Sequence, residues 1–254
     1  MLSHLYSRTP LILAHRGASA VAPENTLAAF RRALELGADG FELDVTLSAD
    51  GAPVVIHDDT VDRTTDGAGP VAGLTLAQLK RLGAGFRARF GDTFSAERIP
   101  TLEEVFAELG RRAIVNVELK RDASPGRALA AKVVELIRAH GMGQRVILSS
   151  FFYDNLQRIR QADPALPVGL LYDSGEPWRI LNAWLWPGVR PDAHHPHHLL
   201  VNAATLRLWR RRGWRVHVWT VNAEADMRRL LRLGVDGLIT DRPDVAVRVR
   251  EAAL

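Results

Sequence analysis

The chain contains no cysteine, which excludes disulfide bridges, thiolate metal sites and a cysteine nucleophile but identifies no redox compartment. Its apolar runs fall far short of the roughly 20 residues that a membrane-crossing helix needs, so no integral membrane segment is expected. Met1 to Pro10 is polar and lacks the apolar stretch of a signal peptide, which makes a cytoplasmic location the expectation. Neither a GxGxxG turn nor a GxxxxGK loop opens the first helical segment, against a dinucleotide- or nucleoside-triphosphate-binding fold. An aromatic-interleaved basic strand motif is also lacking. The net charge of +4 therefore reads as an arginine-rich, solvated helix surface (Arg207, Arg210, Arg211, Arg228, Arg229, Arg232), and no nucleic-acid partner is expected.

What is present is a rhythm. Strand-like runs cover Leu11 to His15, Gly40 to Leu47, Ala113 to Lys120, Val146 to Phe151, Val168 to Tyr172, Asp192 to His194, Val216 to Val221 and Gly237 to Thr240. Helical patterns lie between them: Thr26 to Leu36, Arg127 to His140, Asp154 to Ala162, Ala203 to Arg212 and Ala223 to Leu233. Gly37, Gly141, Gly213 and Gly234 each follow a helical run where a left-handed residue would close it. Strand followed by helix, repeated, means parallel strands with crossover helices. At 254 residues the chain predicts one domain over 1–254, an α/β barrel. The glycine-punctuated interval 59–101, with a helical stretch from Thr75 to Leu82, breaks the rhythm and reads as a small insertion after the second strand. It either covers the site or caps the barrel.

Chemistry concentrates where apolar runs end. His15 closes Leu11 to Ala14, and His57 closes Pro53 to Ile56. Glu42 and Asp44, two apart in a strand, face one side, while Phe41, Leu43 and Val45 face the other. Glu118 stands in a similar setting, and Lys120 and Asn116 share its parity. Three acids suit a hard divalent cation, and two imidazoles suit proton transfer near neutral pH. Arg16 offers a planar fork for phosphate oxygens or a salt bridge to a neighbouring acid. Lys120 has the same two readings. In Pro23-Glu24-Asn25-Thr26, Asn25 or Thr26 caps a helix, and Glu24 shares the mouth with His15 as an outer contact to metal or substrate. Trp219 lines a pocket or fills the top of the barrel. The histidines of Ala193 to His198 diverge in direction, against an independent metal site, and Trp178, Trp184 and Trp186 form an aromatic rim or a plug.

In this order, His15-Arg-Gly17, Pro23 to Thr26, Glu42-x-Asp44, His57-Asp58, Asn116-x-Glu118-x-Lys120, Trp219-Thr-x-Asn222 and Thr240-Asp241 carry a family likeness over nearly the whole chain. The chain resembles the glycerophosphodiester phosphodiesterases, most closely the short cytoplasmic bacterial type. The resemblance implies a TIM (β/α)8 barrel with a small insertion after the second strand, one divalent cation (Mg2+ or Ca2+), and hydrolysis of a glycerophosphodiester to glycerol 3-phosphate and an alcohol. It implies His15 and His57 as the catalytic pair, Glu42, Asp44 and Glu118 as metal ligands, and Arg16 and Lys120 as phosphate contacts; Trp219 and Glu24 are expected as further substrate contacts from their places in the chain alone. The mechanism expected is histidine acid/base catalysis through a cyclic phosphate. Two alternatives stay open: lysophospholipase D-type cleavage, and a non-catalytic module that holds glycerol phosphates. The partner is a small molecule, and a homodimer is left open.

Overall fold

The computed structural model describes residues 10–121, 129–175 and 190–252. Eight parallel strands close on themselves: β1 (Leu11–His15), β2 (Gly40–Leu47), β4 (Ile114–Leu119), β5 (Val146–Ser150), β6 (Val168–Tyr172), β7 (Ala193–Pro196), β8 (Arg215–Val218) and β9 (Gly237–Thr240). Each pairs with its neighbour in parallel, and β1 pairs with both β9 and β2, which shuts the barrel. The remaining strand, β3 (Pro53–Val55), lies antiparallel against the end of β2, outside the ring. His57 therefore leaves a hairpin arm over the barrel mouth, and not a barrel strand.

The near-continuous apolar runs are what a parallel barrel requires, because both faces of each strand are covered. In β1, Ile12 and Ala14 join the main core beneath the helices, whereas Leu11 and Leu13 point inward and pack with Ile147 and Ile239 as a plug inside the barrel. β2 divides the same way. Phe41, Leu43 and Val45 enter the outer core, where Phe41 stacks on Phe30 at 4.4 Å between centroids, leaving Glu42 and Asp44 to face inward. Each fully buried Leu, Val or Phe in that outer layer contributes about 1.5–3 kcal/mol.

Around the ring stand α1 (Leu27–Glu35), α4 (Leu102–Leu109), α5 (Leu129–Ala139), α6 (Tyr153–Ala162), α7 (Ala203–Arg211), α8 (Glu224–Leu233) and α9 (Pro243–Glu251). The predicted glycine stops are all in the left-handed region, with φ of 85° at Gly37, 63° at Gly141, 75° at Gly213 and 80° at Gly234. Two helices lay outside the sequence expectations, although both carry readable signals. The first, α4, begins with a Thr101/Glu104 capping box and buries Leu102, Val105, Phe106 and Leu109. The last, α9, begins with Pro243 in its first turn.

Between β3 and α4 the interval 59–101 holds only short helices, α2 (Leu76–Leu79) and α3 (Arg87–Phe90), where one helix from Thr75 to Leu82 was expected. Its own apolar cluster, Val61, Val71, Leu79, Ala84 and Ile99 with Val54 and Ile56 of the arm, folds it down beside the mouth. Trp178, Trp184 and Trp186 lie outside the described residues, as do the polar N-terminal residues 1–9.

Candidate active site

The acids come together first. Across the β2–β4 ladder, Glu42 is in register with Asn116 and Asp44 with Glu118, so three carboxylates share the inner face at the C-terminal ends of two adjacent strands. One oxygen from each of Glu42, Asp44 and Glu118 lies within 4.8 Å of the others, and all three residues are buried. Burial, then the neighbouring charges of Asp44 and Glu118, pushes the Glu42 carboxyl well above the usual carboxylate range. Burial also raises Glu118, with Asp44 adding to the rise. Asp44 goes the other way: burial opposes its charge, but Lys120 and Arg16 outweigh burial and hold its pKa far below the ordinary range. Such a set of oxygens, one of them the unpartnered Glu42 Oε1, fits a hard divalent cation such as Mg2+ or Ca2+.

Two cations currently tie the acids together. Lys120 Nζ lies 2.8 Å from Asp44 Oδ1 and 2.7 Å from Glu118 Oε1. Burial would lower its pKa, yet these two carboxylates raise it above that of a free lysine. Arg16 is left-handed, with φ of 56°, which turns the chain sharply after β1 and aims its backbone N–H at Glu42 Oε2, 3.0 Å away. Its guanidinium donates to Glu24 Oε1 at 2.9 Å and lies 3.4 Å from Asp44 Oδ2. Each cation is thus ion-paired, and each also lines the cavity.

The imidazoles are held by carboxylates of their own. His15 Nδ1 lies 2.7 Å from Asp241 Oδ1, and Asp241 also accepts from Ser19 Oγ at 2.9 Å and from Asn222 Nδ2 at 2.6 Å. Burial opposes a charge on Asp241, but its bonds to His15, Asn222 and Ser19 hold the pKa at about 2. An ionised Asp241 accepts from Nδ1–H and leaves His15 Nε2 with a lone pair. His57 Nδ1 lies 2.6 Å from Asp58 Oδ1, and Arg63 donates to both Asp58 oxygens and both Glu24 oxygens. Bonds from Arg63, then His57, keep Asp58 at about 2, while burial lowers the His57 pKa against the pull of Asp44 and Asp58.

His15, Arg16, Glu42, His57, Glu118 and Lys120 line one cavity of about 150 Å3. Its apolar walls are Phe151, Leu171, Trp219 and Ile239, and Asn116 is its remaining polar side chain. Trp219 is anchored by its Nε1, which donates to His195 O at 2.7 Å, and meets Phe151 edge to face at 5.4 Å. The cavity opens past His57, Glu118, Lys120 and Phe151 into a groove of about 720 Å3. Among the described residues, Glu24 reaches the site through Arg16 and Arg63.

Several contributors were not assigned a role from the sequence. Thr26 is the α1 cap, whereas Asn25, left-handed at φ of 56°, donates from Nδ2 to Asp44 Oδ2 at 2.8 Å. Asn222, Ser19 and Asp241 position His15, and Arg63 links Asp58 to Glu24. Asn25, Asn222 and Asp241 stood in sequence motifs, but Ser19 and Arg63 gave no signal, and the pairing of His15 with a partner 226 residues away leaves none. The other histidines separate as expected. His194 points outward and stacks on Trp214 at 4.0 Å, while His195 points inward against His217, with 4.8 Å between centroids. Glycine makes room for both inward rings: a Cβ at Gly169 would stand 2.6 Å from His195 Nε2, and one at Gly237 2.9 Å from His217 Cδ2.

Residues 15–245 match the model of the glycerophosphoryl diester phosphodiesterase family. A glycerophosphodiester phosphodiesterase of Caldanaerobacter subterraneus subsp. tengcongensis is 42% identical over 244 residues, which cover 94% of this chain and 97% of that protein. The structure of a phosphodiesterase from Oleispira antarctica, in complex with the product sn-glycerol-3-phosphate, superposes with a TM-score of 0.84 at 31% identity, covering 97% of this chain and 98% of that one. A glycerophosphoryl diester phosphodiesterase structure from Silicibacter pomeroyi, described as putative, gives a TM-score of 0.87 at 27% identity over 99% and 97% of the two chains.

Proposed function

Since this chain belongs to the glycerophosphoryl diester phosphodiesterase family, we propose that it is a metal-dependent enzyme that hydrolyses glycerophosphodiesters to glycerol 3-phosphate and an alcohol. The observation that carries the reading is the convergence, in one cavity, of two imidazoles, each backed by a carboxylate, on a buried triad of acids. Glu42, Asp44 and Glu118 would hold the cation, which when bound would offset phosphate charge and acidify a glycerol hydroxyl.

His15 Nε2 takes the proton of the hydroxyl next to the phosphoester, and that oxygen attacks phosphorus. Protonated His57 gives its proton to the departing alcohol oxygen as the P–O bond breaks, leaving a cyclic phosphate, an imidazolium at His15 and a neutral His57. His57 then takes a proton from water, whose oxygen opens the ring, and His15 returns its proton to the glycerol oxygen. Arg16 and Lys120 hold the phosphoryl oxygens, which suits Lys120, because a cation among the carboxylates would displace its ammonium toward the phosphate. Such donors contribute about 3 kcal/mol each in a dry site. Trp219 and Phe151 exclude water from the same cavity.

The same reading treats the chain as one domain, with the 59–101 segment as a wall of the site that supplies Arg63, and places it in the cytoplasm as the short bacterial members are placed. A coupled assay for released glycerol 3-phosphate, run over several headgroups with EDTA, Mg2+ and Ca2+, tests it. Release that needs a cation is the expected result. Binding of glycerol 3-phosphate without turnover under any condition would make the protein a binding module instead.

A further inference from the structure

Asn116 is fully buried on the inner face of β4, and neither its amide nitrogen nor its oxygen has a hydrogen-bond partner, although it lines the cavity. It lies in register with Glu42 and two residues before Glu118, so it stands level with the first acid and one inward step deeper in the barrel than Glu118. Buried amides are almost always satisfied, so this one marks a place where a polar ligand group belongs.

The layout of the cavity orders a substrate along it. The open groove shares His57, Glu118, Lys120 and Phe151 with the cavity and is the outer end. Arg16 and Lys120 stand at the phosphate, the carboxylates at the hydroxyl beside it, and Asn116, level with Glu42 and absent from the groove lining, at the inner end. On the reading given under Proposed function, on which this inference rests, one group of glycerol is then left without a partner: its terminal hydroxyl.

We propose that Asn116 is the specificity-determining residue that reads the free terminal hydroxyl of glycerol and so selects unacylated glycerophosphodiesters over lysophospholipids. A hydroxyl both donates and accepts, which matches an amide offering one N–H and one oxygen. An acyl ester at the same carbon has no O–H, so the Asn116 oxygen would stay unpaired. Its chain would also have to enter a closed end of a cavity of about 150 Å3, small beside the ~300–1,000 Å3 of clefts that hold larger ligands.

The test compares three substrates with the cation present: glycerophosphocholine, the 2-hydroxypropyl analogue that keeps the hydroxyl beside the phosphoester but lacks the terminal one, and lysophosphatidylcholine. Wild type is expected to prefer glycerophosphocholine over the analogue in kcat/KM by on the order of 10- to 100-fold, the effect of one unpaired buried polar group. Asn116→Ala should bring the ratio near one by slowing glycerophosphocholine alone, and Asn116→Ser should restore part of it. Thermal stabilisation by sn-glycerol 3-phosphate against 2-hydroxypropyl phosphate should show the same loss of preference without turnover. Equal wild-type rates on glycerophosphocholine and either other substrate would overturn the proposal. So would an Asn116→Ala variant that slows glycerophosphocholine and the analogue equally. If that variant does not fold, the wild-type ratio and Asn116→Ser decide. Absence of glycerol 3-phosphate release by wild type would instead sink the underlying function.

Discussion

On the side of the barrel built by β1, β2 and β4, titratable groups are held in opposed pairs: Lys120 between Asp44 and Glu118, Arg16 beside Asp44 and Glu24, His15 on Asp241. Across the barrel, β7 and β8 bury His195 and His217 ring against ring, with no partner for either nitrogen of His195. Lys120 and Arg16 keep Asp44 ionised, and the bonds to Asp241 hold it at about 2, whereas burial pushes His195 far below the usual imidazole range and His217 to about 4, so both are neutral. The outcome for chemistry is opposite. A buried ionisable group is a reagent only where a second group holds its charge.

The largest effect that would break this comparison is on turnover. His15→Ala and His57→Ala should each lose about 10^2–10^4 in kcat on glycerophosphocholine with Mg2+ or Ca2+ present, whereas His195→Gln should stay near native. Comparable losses at His195 would mean that the orphaned imidazole takes part in catalysis after all.

Next comes Lys120. Lys120→Met removes the cation between two buried carboxylates and should destabilise the metal-free protein by about 3–5 kcal/mol in urea unfolding, with much of the loss recovered on adding Mg2+ or Ca2+. Recovery by NaCl alone would show that general screening suffices and no cation site exists. In the same vein, Glu42→Gln and Glu118→Gln should remove the cation-induced rise in melting temperature, which for an intact site at 100 times its Kd corresponds to about 2.7 kcal/mol.

The two regions also titrate in separate windows. A histidine lowered on folding takes its proton more readily when unfolded, so stability is full above about pH 6.5 and falls as pH drops through that value towards about 4 for His217. His194, lowered to about 3 by burial, acts in the same direction. Asp241 has the reverse sign: its pKa of about 2 adds stability above about pH 3.9 that is lost as pH falls towards 2. Urea midpoints from pH 8 to 2 should show two descents, and His217→Gln should flatten only the upper one. The smallest effect belongs to Arg63→Ala, which breaks a half-exposed bridge to Asp58 and Glu24 worth about 1 kcal/mol or less and should raise KM modestly. An unchanged KM would leave that link structural.

Much of the site was legible because it is periodic. Glu42 and Asp44 alternate with Phe41, Leu43 and Val45, and Glu118 and Lys120 repeat the device two strands on, so parity alone pointed the acids one way. The helical run before His140 and those before Gly37, Gly213 and Gly234 were readable for the same reason. Parity could not show that Pro53 to Val55 pairs antiparallel to β2, since apolar residues serve either direction. Nor could it show that Asn25 reaches past its own helix cap to Asp44, a contact that depends on a left-handed turn.

The sequence by itself determined the alternation of strand and helix, the direction in which each acid and histidine leaves its strand, and the likeness to a phosphodiesterase family. These follow from spacing along the chain, which local geometry converts directly into faces. Only the tertiary structure decided which group holds which: Asp241 to His15, Lys120 to both Asp44 and Glu118, Arg63 to Asp58 and Glu24, and Asn116 to nothing. Closure of the ring brings β9 beside β1 and β4 beside β2, and charges far apart in sequence then share a buried space where each sets the protonation of the next.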